Sequence, residues 1–290
     1  MHARAVAATT TTLLGIAALL LPVPHARAGT SGLTAVIAHR GASAHAPENT
    51  LAAVDEAAAL GIRWVENDVQ RTRDGELVVI HDDSLRRTTD VEEVFPGRAP
   101  WKVKDFTAAE IARLDAGSWF SPDHTGTRVP TLEQYLRRVE AYGQKLLLEI
   151  KNPALYPGIE QQILKVLGNE SWLDERHLAD RLIVQSFDLD SLRTVRALEP
   201  DVRTGFLGAP ATADLPRYAE VADLVNPPYR AVSEAYVSAL HGYSGPHGEP
   251  LAVFAWTVDD ASTARELVEY GVDGIITNKP DVVRRSLHWW

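Results

Sequence analysis

The sequence predicts an α/β protein: a TIM (β/α)8 barrel with a β-hairpin extension after strand 2. Three observations carry that prediction. Past residue 33, short apolar runs of β-type residues alternate with stretches whose apolar positions recur at helical spacing, the pattern of a parallel sheet with crossover helices. Nine such runs are present, and one of them cannot be parallel, because only five residues separate Gln70 from Glu76 and a parallel crossover needs about a dozen or more. Setting that arm aside leaves eight parallel strands in a chain of 290 residues, close to the usual barrel length. An open doubly wound sheet is the alternative, but no strand runs into a G-x-G-x-x-G loop.

Taken in order, residues 1–28 form an address rather than a structural element. His2 and Arg4 give a positive start, residues 13–21 are a short apolar core, and Ala26-Arg27-Ala28 is a small-x-small cleavage site. An uncleaved N-terminal anchor is the alternative. The barrel domain is then residues 29–290. A first strand at 36–38 ends in His39-Arg40-Gly41. A helix follows with Asn49 or Thr50 as N-cap and Leu51, Val54 and Ala58 on one face.

The stretch WVENDVQRTRDGELVVIHD at 64–82 is a hairpin: two β-prone runs around Asp74-Gly75. If those two residues are the whole turn, Arg73 lies opposite Glu76 and Asp68 opposite His81. Residues 84–105 are irregular and rich in charge. Thr107 caps a helix at 108–114, and Thr131 caps another carrying Glu133, Tyr135, Leu136 and Val139. LLLEI at 146–150 is an apolar run with one acid in it, typical of a strand buried on both faces. Further strands are expected at 182–185, 202–207, 223–225, 253–256 and 274–277, with helices at 159–167, from 189, and at 233–240, 261–270 and 281–287.

Composition narrows the partners. Without residues 1–28 the chain carries 27 basic against 39 acidic residues, a net charge of −12, which disfavours nucleic acid and anionic membrane surfaces. No stable membrane insertion is expected. There is no cysteine, so disulfides, thiolate metal sites and lipid attachment at the cleavage site are excluded. Nothing in the sequence indicates an oligomeric state.

In a barrel the site lies at the C-terminal strand ends. Those ends carry His39, Glu66 and Asp68, Glu149, Ser186 and Phe187, Asn226, Trp256 and Asp259, and Asn278 and Lys279. His81 joins them through the hairpin. Glu66, Asp68 and Glu149 make a hard oxygen cluster suited to a divalent cation, Ca²⁺ or Mg²⁺; without one, three acids this close would not all stay ionised. The histidines are metal ligands or an acid–base pair, and with three carboxylates at hand the second role suits them better. Arg40 and Lys151 bring positive charge that suits a phosphate, with an ion pair to one of the acids as the plainer role for Arg40.

Ten motifs now match one family in order: AHRG at 38–41, PENT at 47–50, VENDVQ at 65–70, TRDGELVVIHD at 72–82, LRRTT at 85–89, VPTLEQ at 129–134, LLLEIK at 146–151, QSFD at 185–188, AWTVD at 255–259 and DGIITNKPD at 273–281. On these the chain resembles the glycerophosphodiester phosphodiesterases of the phospholipase-C-like TIM-barrel group. The resemblance implies hydrolysis of a glycerophosphodiester to sn-glycerol 3-phosphate and an alcohol. It implies metal ligation by Glu66, Asp68 and Glu149, acid–base catalysis by His39 and His81, and phosphate contact by Arg40 and Lys151. It also implies a place for Glu48 beside the metal and the glycerol hydroxyls, and for Trp256 in the substrate pocket. Attack by water or by the glycerol 2-hydroxyl stays open, as does which histidine is acid and which base. A lysophospholipase-D or sphingomyelinase-D-like activity and a catalytically silent binding module are the other functions such a barrel admits. One departure is Asn67, where the family has an apolar or small residue; strand alternation turns it away from the metal, so altered packing is expected rather than lost activity.

Overall fold

The computed structural model describes residues 1–2 and 34–287; the expected leader lies, apart from its first two residues, outside that range. The nine runs form β1 (Ala35–Ala38), β2 (Trp64–Arg71), β3 (Leu77–Val79), β4 (Lys145–Ile150), β5 (Leu182–Ser186), β6 (Arg203–Leu207), β7 (Leu224–Asn226), β8 (Ala252–Ala255) and β9 (Gly274–Thr277). Every lateral pairing except β2–β3 is parallel, and β1 bonds to both β9 and β2, so eight strands close into a barrel with β3 outside the ring.

β2 is the longest strand and has two uses. Its first residues, Trp64 and Val65, seal the barrel against Ile37 and Ala38 of the short β1. Its last three, Val69 to Arg71, rise beyond β1 and pair with β3. The β1–β2 seam therefore has two residue pairs, whereas β2 and β4 share six.

The hairpin register differs by one residue from the expected one. Val69 faces Val79 and Arg71 faces Leu77, which puts Asp68 opposite Ile80, whose N–H donates to the Asp68 carbonyl at 2.9 Å. The cause is the turn. Thr72 N–H donates to the Glu76 carbonyl, and the Glu76 N–H donates to the Thr72 hydroxyl, so the loop holds three residues, 73–75, rather than two. Gly75 sits at φ +94°, the left-handed residue that closes a three-residue hairpin loop. His81 thus lies one step past the ladder. The Gln70 side-chain amide holds it there, reaching the carbonyls of Ile80, His81 and Asp82 at 3.0, 3.0 and 2.6 Å.

Strand alternation sorts the side chains into two layers. Ile37, Leu147, Ile183, Leu224, Phe254 and Ile276 fill the barrel interior. Val65, Val69, Leu146, Leu148 and Ile150 point outward against the helices. The helices are α1 (Leu51–Ala59), α2 (Val91–Val94), α3 (Ala108–Ile111), α4 (Leu132–Ala141), α5 (Ile159–Asn169), α6 (Glu175–Asp180), α7 (Leu189–Leu198), α8 (Leu215–Ala219), α9 (Glu234–His241), α10 (Ala261–Glu269) and α11 (Pro280–Leu287). α4 illustrates their construction. Thr131 and Gln134 form a capping box, and Leu132, Tyr135, Leu136 and Val139 lie buried on one face. At ten residues it is too short to persist alone, so burying that face, at roughly 2 kcal/mol per large apolar side chain, is what holds it.

α2, α6 and α8 escape the sequence pattern because four to six residues are too few to show a helical period. α3 stops at Ile111, short of the expected 114. The irregular segment after the hairpin has a core of its own, in which Leu85, Val91, Val103, Phe106, Ile111 and Leu114 pack on Val78 and Ile80. Trp119 and Phe120 pack edge-to-face within their own loop, and the Trp119 indole N–H donates to the Ala116 carbonyl, so they tuck that loop down.

Candidate active site

Above the apolar interior layer lies a polar one. Glu66 and Asp68 of β2 and Glu149 of β4 point into the barrel mouth and are buried. Each offers one carboxylate oxygen, and the three atoms lie within 4.8 Å of one another. Two oxygens bound to one hard cation at about 2.0–2.6 Å sit at most about 5 Å apart, so the cluster has the size of a metal site. Asp68 Oδ1 is buried without a hydrogen-bond donor, 3.7 Å from Lys151 Nζ, and the only cation on Glu149 Oε1 among the described residues is the same Nζ at 2.7 Å. The donor set therefore fits a metal ion.

The electrostatics agree. Burial first, then Asp68 and Glu149, push the Glu66 pKa well above the ordinary carboxylate range. Burial and Asp68 outweigh Lys151 and push Glu149 up to about 8. Asp68 is also penalised by burial, but Arg40, Lys151, His81 and a hydrogen bond from Asn49 hold it below its usual value. Glu66 and Glu149, then, keep protons beside an ionised Asp68, and a cation would displace them.

The loop after β1 supplies the next group. Arg40 and Asn49 sit in the left-handed region at φ 59° and 58°, with Gly41 between them at 78°. Backbone strain of this kind is worth about 1–3 kcal/mol per residue and gathers at functional sites. Here it aims the Arg40 N–H at Glu66 Oε2 (2.9 Å) and lets the Asn49 side chain both donate to Asp68 Oδ2 (2.7 Å) and accept from the Asp68 N–H (3.2 Å). A Cβ on Gly41 would come within 2.6 Å of Ala53, so this turn packs on α1 without room for a side chain. The Arg40 guanidinium pairs with Glu48 at 2.9 Å and Asp68 at 3.4 Å.

Each histidine is held through Nδ1, and in different ways. Asn278, after β9, donates from Nδ2 to Asp259 at 2.8 Å. That turns its Oδ1 toward His39, so Nδ1–H of His39 is the donor at 2.7 Å. Burial first, then Arg40, push the His39 pKa down to about 4, against the pull of Asp68 and the Asn278 hydrogen bond. His81 donates from Nδ1 to the Asp82 carboxylate at 2.7 Å. In both rings the Nδ1–H is engaged and Nε2 is left for chemistry. Both histidines lie close enough to Asp68 to interact with its charge.

The remaining expected residues lie on the same rim. Glu48 is gripped by Arg40 and Arg87, which outweigh burial and hold its pKa below the ordinary value. Trp256 follows β8, packs on the interior cluster, donates to the Asn226 carbonyl at 2.7 Å and meets the Phe187 ring edge-on. Sequence reasoning passed over Gln70, Asp82, Arg87 and Gln185, and considered Asn49 only as an N-cap, a place that Thr50 takes. Asp82 and Arg87 stand inside matched motifs, and Gln185, one residue before the end of β5, turns its amide toward Glu66 at 3.5 Å; their roles became visible only with their partners in place.

The profile of the Glycerophosphoryl diester phosphodiesterase family matches residues 39–282. The chain belongs to this family. Family membership makes it a phosphoric diester hydrolase. The chain is 37% identical over 261 residues to a glycerophosphodiester phosphodiesterase of Caldanaerobacter subterraneus, covering 86% of this chain and 96% of that one. It is 33% identical over 263 residues to one of Bacillus subtilis, covering 86% and 85%. Among solved structures, a phosphodiesterase of Oleispira antarctica in complex with the product sn-glycerol-3-phosphate superposes with a TM-score of 0.75 at 30% identity, covering 88% of this chain and 97% of that one.

Proposed function

We propose that this glycerophosphodiester phosphodiesterase is metal-dependent and releases sn-glycerol 3-phosphate and an alcohol by His/His acid–base catalysis. The observation that carries this is convergence on Asp68: two histidines with free Nε2 atoms, two cationic side chains and two further carboxylates surround one buried acid. The product bound in the Oleispira relative supports the substrate class.

Glu66, Asp68 and Glu149 would hold the cation, Ca²⁺ or Mg²⁺, which when bound neutralises charge on the phosphoryl oxygens. Arg40 and Lys151 bind the phosphate, Glu48 accepts from the glycerol hydroxyls and Trp256 walls the pocket. His39 is kept neutral by burial and backed by an uncharged amide oxygen; its Nε2 takes the proton of the attacking hydroxyl. His81 is backed by a carboxylate and gives a proton to the departing alkoxide as its bond to phosphorus breaks. One proton is taken by His39 and one given by His81. With the glycerol 2-hydroxyl as nucleophile, the pair is reset when His81 takes a proton from the water that opens the cyclic phosphate and His39 returns its proton to the 2-oxygen; with water as nucleophile, it is reset by proton exchange with solvent.

A cleft of about 760 Å³ leads from Glu149 and Lys151 past Leu155 and Phe187, whose side chains are exposed. This apolar wall favours a lysophospholipase-D-like substrate as the second reading. Turnover of glycerophosphocholine and of a long-chain lysophosphatidylcholine is the test, in EDTA and with each cation restored. Metal-independent turnover refutes the metal assignment, and preference for the long-chain substrate favours the second reading. We also propose export with cleavage after Ala28; an intact N-terminus on the secreted protein refutes it. Among the described residues no helix is long and apolar enough to cross a membrane.

A further inference from the structure

One side chain outside the assigned set touches both halves of the site. Arg87 belongs to the LRRTT stretch, where Leu85, Thr88 and Thr89 are buried and the Thr89 hydroxyl donates to the Leu85 carbonyl at 2.6 Å. Its backbone is thus anchored while its guanidinium reaches across the mouth. Nε and Nη2 donate to Asp82 Oδ2 and Oδ1 at 2.7 and 3.0 Å. Nη1 and Nη2 donate to Glu48 Oε2 and Oε1 at 2.9 and 2.7 Å. All three nitrogens are engaged, and the charge lies between two carboxylates, so Arg87 is not placed to receive a phosphate.

We propose that Arg87 is a positioning residue that sets the acid–base histidine His81 and the substrate-side carboxylate Glu48 as one rigid unit. Asp82 orients His81 through Nδ1, and a carboxylate held only by that hydrogen bond would swing about its Cβ–Cγ bond. Arg87 fixes both Asp82 oxygens and both Glu48 oxygens at once. Two bidentate contacts need a planar fork; a lysine ammonium has no such geometry. Consistent with this, hydrogen bonds from Arg87 are the largest influence on Asp82, outweighing its burial and holding its pKa well below the usual range.

The inference rests on the assignment of His81 to proton transfer, and the experiment separates the two. Steady-state kinetics on glycerophosphocholine are measured for Arg87→Ala, Arg87→Lys, Asp82→Asn, the Arg87→Ala/Asp82→Asn double variant and His81→Ala. Losing a supporting partner of a reactive group costs about 10–100-fold. Arg87→Ala is therefore expected to lose that much in kcat and to raise KM several-fold through Glu48, with Arg87→Lys recovering neither. The double variant is expected to have the kcat of Asp82→Asn alone. Wild-type kcat in Arg87→Ala or full recovery in Arg87→Lys, with His81→Ala inactive, overturns this inference alone, as do losses that multiply in the double variant. Full activity in His81→Ala overturns the assignment beneath it. If Arg87→Ala does not fold, Arg87→Lys and Asp82→Asn carry the comparison.

Discussion

Replacing Glu149 by Gln should make the metal-free protein more stable while removing its response to cations. Glu149 is buried beside Asp68, and its pKa is raised from 4.5 to about 8. In the metal-free folded state it holds a proton that the unfolded chain has released. The sign follows from linkage. Below about pH 4.5 both states are protonated and there is no penalty. Between about pH 4.5 and 8 only the unfolded chain gives up this proton, so stability is lost across that window; above about pH 8 both states are ionised and the penalty is constant. The shift corresponds to about 4 kcal/mol at pH 8, at about 1.4 kcal/mol per unit. Part of it is returned by relaxation and by the lost Lys151 pair, so a gain of about 1–3 kcal/mol is expected for Glu149→Gln in EDTA at pH 8. For a domain of this size that is a rise in Tm of roughly 2–4 °C per kcal/mol, shrinking toward zero near pH 5. In excess Ca²⁺ or Mg²⁺ the order should invert, because wild type gains about 3 kcal/mol at a hundredfold excess over Kd and the variant has lost a ligand. Thermal melts at pH 5 and 8, with EDTA or cation, read all four conditions. A variant less stable than wild type in EDTA at pH 8, or one that keeps the full cation response, would refute the reasoning.

Three further outcomes follow from the same structure. His39, with its pKa pushed down to about 4 from an ordinary 6.5, binds its proton later in the folded state than in the unfolded one; acidification from about pH 6.5 to 4 should cost wild type up to about 3 kcal/mol that His39→Gln does not lose, as urea unfolding across that range will show. Asn67 is fully buried with neither amide atom paired, facing the helix layer between Val65 and Val69, so Asn67→Val should add about 1–3 kcal/mol and leave kcat within a few-fold of wild type. Gly75→Ala meets no atom within 4 Å but keeps φ at +94°, so it should cost about 1 kcal/mol of backbone strain in a thermal melt with little effect on turnover.

Most of the architecture was legible because most barrel strands are buried on both faces and read as apolar runs, as LLLEI does. The antiparallel arm was legible from chain length alone. Its register was not, since Asp74-Gly75 looks the same in a two-residue loop and in the three-residue loop that the Thr72 hydroxyl stabilises. The three buried carboxylates and both histidines could be picked out because they interrupt apolar strands or follow them closely. Their supports could not: Asn49, Asp82, Arg87 and Gln185 are ordinary polar residues until folding brings a partner from elsewhere in the chain. Strand alternation is enough to put Asn67 on the outward face, but whether its amide finds a partner there depends on helix side chains that alternation does not place.

The contact between His39 and Asn278 joins residues 239 apart in the chain. On the ribosome, His39 is made that many residues before the one that fixes its tautomer. A nascent chain that has emerged only as far as β8 already carries the three carboxylates and both histidines, yet β1 still lacks its β9 neighbour and His39 lacks its amide oxygen. Chemical competence therefore arrives with the final strand, in the same step that closes the ring. A chain truncated before Gly274 should be inert toward glycerophosphocholine although none of the side chains proposed for catalysis has been removed.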